Sequence, residues 1–206
     1  MTEAKSIAQT LAELTDVFAA LEPRINPQLR PAATEQDIRE AETALGLTFP
    51  DGLREMLECH NGQHFYSIDR DYGDPIVPMM SQAATRQYSS HYWLCGTQEI
   101  VDQTRFYREE YHEYYRDMPF ETFGPARYHD QLIVFTASEN ADCLVLDLLP
   151  EPGGTIGQVV VYCTQPFQIA VISDSLGTFL RSLVRDFQAG RFKFSSAEYF
   201  VSYCEE

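Results

Sequence analysis

The sequence predicts an α+β fold: one domain in which a central antiparallel sheet is flanked by helices. Three observations lead there. Apolar residues recur at helical spacing through much of the first half of the chain and again after Ser173. Between them QLIVFTAS, DCLVLDLL and QVVVYC are runs rich in β-branched residues. These runs follow one another without helical patterns in between, so hairpins rather than βαβ units connect them.

The first helix is read from Ser6 to Leu21, with Ile7, Leu11, Leu14, Val17, Phe18 and Leu21 on its apolar face. EPRINPQLRPAA carries three prolines and is a connector. The stretch from Thr34 to Gly62 holds the most consistent local cues. Thr34 caps a helix and Asp37 completes a capping box. Ile38, Ala41 and Leu45 form its stripe, and Gly46 supplies a left-handed stop. Phe49 precedes proline and must be extended. Pro50 and Asp51 suit the first turn of a second helix, whose Leu53, Met56 and Leu57 face inward and which Asn61-Gly62 ends.

Beyond Gly62, QHFYSI reads as a strand, IVPMM as a short edge strand and HYWLC as another strand. Thr97 is read as the cap of a long helix to about Arg116, with Ile100, Thr104, Tyr107, Tyr111 and Tyr114 along one face. The first two β-rich runs are joined by a Glu139-Asn140-Ala141 turn. PEPGGTIG precedes the third, and FQIAVI adds a further short strand. From Ser173 or Asp174, a stripe of Leu176, Phe179, Leu180, Leu183, Val184 and Phe187 marks a closing helix, ended by Gly190. SSAEYFVSYCEE is read as a last short helix. The resulting division is an N-terminal helix and connector over 1–33, the domain over 34–190 and a helical tail over 191–206.

Composition excludes several classes. At 206 residues, with 44% hydrophobic and 13% aromatic residues, the chain has an ordinary globular make-up. No apolar run is long enough to span a bilayer, and the N-terminus lacks the features of a secretion signal. Five cysteines, odd in number and scattered, suit reduced thiols in the cytoplasm rather than a disulfide framework. The formal charge of −16 disfavours nucleic acid and anionic lipid as partners and favours basic proteins. The charge is uneven: no lysine or arginine lies between Arg127 and Arg181. Acidity that serves only solubility is the plain alternative.

A search for reactive constellations predicts neither enzyme nor cofactor. Cys59, His60 and His64 lie close in sequence, but the Asn61-Gly62 break separates the histidines and no second ligand pair follows. Asp69, Asp71 and Asp74 lack the glycine and glutamate positions of a calcium loop. The glycines from Gly153 to Gly157 have no following lysine to hold phosphate. Two partner-binding candidates remain. One is the tyrosine-rich helix, through Tyr107, Glu109, Glu110, Tyr111, Glu113 and Tyr114, residue types common at interface hot spots. The other is an acidic hairpin surface of Glu139, Asp142 and nearby Glu151. Internal packing of the tyrosines and simple solvation of the acids are the competing explanations.

Taken in order, IREAETALG with Leu47 and Phe49-Pro50, then Asn61-Gly62, Ile133-Val134-Phe135, Cys143 to Asp147, Gly154, Gly157-Gln158-Val159 and the helix from Leu176 to Phe187 resemble the SUKH superfamily, the Smi/Knr type of domain. The resemblance spans about Thr34 to Gly190. Tyr128 stands near a place where that family often has tryptophan. The resemblance implies an antiparallel sheet flanked by helices and a non-catalytic binding role. Its bacterial members imply an immunity protein that occludes a cognate toxin, for which a basic nuclease would suit the acid surplus. Its fungal members imply a regulator of cell-wall synthesis or signalling; immunity is the expected function, this regulator the alternative, and an enzyme with an unrecognised site the third reading.

Overall fold

A computed structural model describes residues 5–21, 29–64, 92–110, 113, 121–138, 141–164, 167–195 and 200–203. The helices are α1 (Ile7–Leu21), α2 (Glu35–Leu45), α3 (Asp51–Cys59), α4 (Thr97–Glu110) and α5 (Leu176–Gln188). The strands are β1 (Tyr92–Leu94), β2 (Glu121–Phe123), β3 (Leu132–Val134), β4 (Thr136–Ser138), β5 (Cys143–Asp147), β6 (Gln158–Thr164), β7 (Phe167–Ser173), β8 (Phe192–Ser195) and β9 (Phe200–Tyr203). The fold is α+β. The expected strand QHFYSI, apart from Gln63 and His64, and the expected strand IVPMM lie outside the described residues.

Local chemistry explains α2 and α3. The Thr34 hydroxyl accepts from the Asp37 amide, while the Asp37 carboxylate accepts from the Thr34 amide at 2.8 Å. Gly46 ends the helix at φ 66°, a conformation in which a β-carbon would meet the following carbonyl. The Glu42 carboxylate accepts from the Phe49 amide at 2.8 Å and pairs with Arg54 at 2.8 Å, tying the extended link to both helices.

The central sheet has five strands in the order β2-β7-β6-β5-β3. Among β7, β6, β5 and β3 each strand is antiparallel to its neighbour, as expected, but β2 joins β7 in parallel. No tight turn links β2 to β7, because the whole meander intervenes, so nothing local sets their relative direction. Side chains alternate across the sheet with period two. Ile133, Leu144, Leu146, Val159, Val161 and Cys163 join a core with α1, α2, α3 and α5. Leu132, Val134, Cys143, Val145, Val160, Tyr162 and Ile169 face a second cluster that includes Tyr107 of α4 and Ala126. Burial on both faces is why the sequence of β6 shows no polar alternation.

Three expectations are corrected. QLIVFTAS is not one strand. After β3 the chain leaves β5 and β4 pairs with β1, Leu94 opposite Thr136. At this switch the buried Thr136 hydroxyl accepts from the Leu144 amide at 2.8 Å, replacing a ladder carbonyl. Thr97 is the first residue of α4 rather than its cap: Gly96 supplies the carbonyl that receives the Ile100 amide. Where it is described, the tail is strand and not helix. β8 and β9 pair antiparallel, Phe192 opposite Tyr203, because aromatic and β-branched residues dominate Phe-Lys-Phe-Ser and Phe-Val-Ser-Tyr. Phe192 stacks on Phe187 at 4.0 Å, and Phe187 meets Phe18 of α1 at 4.8 Å.

Candidate protein-binding surface

Helix α4 is held at its start, its inner face and its side. At the start, Arg30 grips Glu99 with two hydrogen bonds of 2.6 and 2.7 Å. The same carboxylate accepts from the Gly96 amide, and the Asn61 side chain accepts from the Thr97 amide at 2.7 Å. Burial alone would raise the pKa of Glu99. The Arg30 hydrogen bonds and charge, with backbone amides, outweigh burial and hold it below the ordinary carboxylate value. On the inner face, Thr104 accepts from the Val134 amide at 3.0 Å, covering the β3 edge of the sheet. At the side, Arg105 and Arg108 donate to the carbonyls of Ala44 and Leu45, the last of α2. Those carbonyls lack helical donors and carry the negative end of the α2 dipole, so two guanidinium groups suit them.

This arrangement decides what faces solvent. Asp102, Phe106 and Glu109 are exposed and fall at i, i+4 and i+7 on one stripe of α4, and Glu113, beyond the end of the helix, is exposed too. Glu110 is half-buried beside it. Phe106 is 49% exposed, a large apolar surface on a stripe that also carries Asp102 and Glu109. Arg108 is partly buried, with its Nη1 turned to α2, so this part of the outer face is acidic.

The other sequence-predicted contact residues divide. Tyr107 is only 7% exposed; its ring lies edge-on to Tyr162 at 5.3 Å, and its carbonyl accepts from the Tyr128 hydroxyl at 2.6 Å. Burial, with Cys143 and Asp142 nearby, pushes its hydroxyl pKa far up. Asp142 is 5% exposed and accepts from the Thr164 amide at 2.9 Å and its hydroxyl at 3.2 Å, closing the start of β5 against the end of β6. These two side chains are therefore internal, and a partner cannot reach them without repacking. Glu151 pairs with Arg127 at 2.8 Å in the β5–β6 connection. Asp142 and Glu151 do not share one hairpin surface: they flank the five-residue strand β5, whose length at about 3.3 Å per residue is about 17 Å. Tyr111, Tyr114 and Glu139 lie outside the described residues.

One polar cluster was not foreseen. Asp147 is fully buried; His129 donates to it at 2.8 Å and the Gln158 amide donates to its other oxygen at 2.9 Å. Gln158 also donates to the Pro125 carbonyl at 2.9 Å. A histidine–aspartate pair can serve as a general base, but here the His129 Nδ1 accepts from the Gln131 amide at 3.0 Å. Both ring nitrogens are thus engaged within the protein. The cluster anchors residues 124–131 to the sheet. The sequence signal was faint: Asp147 and Gln158 flank a glycine-containing loop and face each other in the register. Among the described residues no group of histidine, cysteine, aspartate and glutamate is arranged to hold a metal ion.

Comparison with known proteins gives a consistent result. Residues 32–182 match the model of the SMI1 / KNR4 family (SUKH-1). A glucan synthesis regulatory protein of Neurospora crassa is 23% identical over 197 residues, covering 82% of this chain and 36% of its own length. The cell wall assembly regulator SMI1 of Saccharomyces cerevisiae is 22% identical over 191 residues, covering 82% of this chain and 38% of its own. A KNR4/SMI1 homolog of Debaryomyces hansenii is 19% identical, covering 85% and 49%. The chain spans less than half the length of these relatives.

Proposed function

Because the chain belongs to the SMI1/KNR4 (SUKH-1) family, we propose that it is a non-catalytic regulatory module that works by binding another protein. The observation that carries this reading is the outer stripe of α4. A half-exposed phenylalanine among Asp102, Glu109, Glu110 and Glu113 offers apolar contact inside an electrostatic field that attracts basic partners. The names of the relatives, which regulate cell wall assembly and glucan synthesis, support regulation over the silencing of a toxin. The immunity reading keeps one supporting observation, the formal charge of −16, which suits occlusion of a basic toxin. In either case the module acts in the cytoplasm, in keeping with free cysteines at positions 59, 95, 143 and 163.

Affinity capture from the native host, with identification by mass spectrometry, tests the reading. The purified partner is then titrated against the Glu109→Lys/Glu110→Lys/Glu113→Lys variant. Binding at least about tenfold weaker, with unchanged thermal stability, is the expected result, equivalent to about 1.4 kcal/mol. Unaltered affinity removes α4 as the contact. Protection of cells from a toxin encoded next to this gene would move the conclusion to immunity.

A further inference from the structure

We propose that the end of the central sheet formed by the β5–β6 connection is a second docking surface, for a protein segment that carries an apolar side chain between lysines or arginines. It rests on the reading of the chain as a protein-binding module. Two of the large apolar residues that the structure leaves exposed lie in this one connection: Ile156 at 73% and Leu149 at 42%.

The connection is built, not loose. The Leu149 amide donates to Asp147 at 2.9 Å, the Glu151 amide to the Pro125 carbonyl at 3.2 Å and the Gly154 amide to the Glu151 carbonyl at 2.9 Å. The Thr155 amide donates to Gln158 at 3.1 Å, and the Gly157 amide to the Asp147 carbonyl at 2.7 Å. The buried Asp147–Gln158 pair thus fixes both ends of a segment whose tips are apolar and wet. Apolar side chains on a fixed backbone lose little conformational entropy when a partner covers them.

Charge around the tips selects the occupant. A β-carbon on Gly157 would lie 3.8 Å from Pro50, which brings the exposed Asp51 at the start of α3 to this end. Ser173 stands opposite Val159, so the exposed Asp174 follows it to the same end. The Leu148 amide donates to the Gln131 carbonyl, placing exposed Asp130 alongside. Of the nearby bases, Arg127 pairs with Glu151, and Arg181, whose guanidinium lies over Gly177, donates to Thr178 and to the Lys5 carbonyl. A second copy of the chain would bring the same carboxylates face to face, which is unfavourable, and phosphate-bearing surfaces are repelled. A basic segment with an apolar anchor satisfies both features.

The test uses the full chain and two fluorescein-labelled peptides, one alternating lysine with leucine and one alternating lysine with serine. Backbone amide shifts map the contact, and anisotropy gives the affinity. Expected are shifts centred on Leu149, Thr155, Ile156 and Asp174, and binding of the lysine–leucine peptide at least about tenfold tighter than its serine counterpart. The Leu149→Ser/Ile156→Ser variant, altered only at exposed positions, should lose that preference while keeping its thermal midpoint. Equal binding of the two peptides, an unaffected variant or no binding overturns the proposal. Shifts confined to α4 also overturn it, while leaving protein binding through α4 intact. Binding mapped to this loop supports the proposal even if no regulatory partner is captured through α4.

Discussion

Gly62 and Gly96 meet backbone to backbone: a β-carbon on Gly62 would stand 2.3 Å from the Gly96 amide nitrogen. Gly62 also has φ 79°, where any side chain is strained. The contact joins the end of α3 to the start of α4. Gly62→Ala should cost about 3 kcal/mol or more of stability, measured by urea unfolding, through clash and strain together.

Next to that contact, the Arg30–Glu99 pair has both side chains 25% exposed. Glu99→Gln should destabilise by about 1–2 kcal/mol, between the values for exposed and buried pairs. The carboxyl pKa is depressed in the folded state. Its contribution is therefore present above the unfolded value of about 4.5 and is lost as pH falls through the lower folded value. The wild type should lose more stability than Glu99→Gln between neutrality and acid, read from thermal midpoints across that range.

Thr136→Val should remove the hydroxyl that serves the Leu144 amide at the point where the chain changes sheets. A buried amide left without an acceptor costs about 1–3 kcal/mol. Thr136→Ser keeps the acceptor and should lose less, a difference that denaturant unfolding of the pair of variants resolves.

Burial raises the thiol pKa of Cys95 and Cys143, and pushes that of Cys163 up to about 12. Only thiolate reacts, so native protein treated with a disulfide reagent near pH 8 should leave these three unmodified. Cys59 is half-buried, its pKa raised by burial and by Glu55 and Glu58. Among these four it should label first, with peptide mapping as the readout.

Phe106→Ser should leave stability within about 0.5 kcal/mol, because the ring is half exposed. If α4 is the contact, the same change weakens partner binding severalfold, measured by calorimetry beside the charge-reversal variant.

What the sequence disclosed depended on the range of the interaction. The caps of α2 and the inward stripes of α2, α3 and α5 follow from neighbours a few residues apart, and each was readable. The break within QLIVFTAS was not, because the reason for it is β1, far away in the chain. The tail misled for a related cause: a short aromatic segment suits helix or strand until its partner is known. The candidate surface was legible as a helix with acidic residues but not in its orientation. Nothing near Tyr107 says that it turns to Tyr162, and an aspartate following a turn, such as Asp142, reads as solvated although it is internal.

Phe18, Phe187 and Phe192 all fall outside residues 32–182, yet Phe187 stacks on Phe192 and meets a tilted Phe18, contacts that bind α1 to the far end of α5. The stretch that identifies the family is therefore smaller than the packed core, which takes in α1 and Phe192. A fragment cut to the matched residues would bare the α5 flank that α1 now shields and end that helix within its own stripe. It should precipitate or melt below the full chain, however well it carries the family's signature.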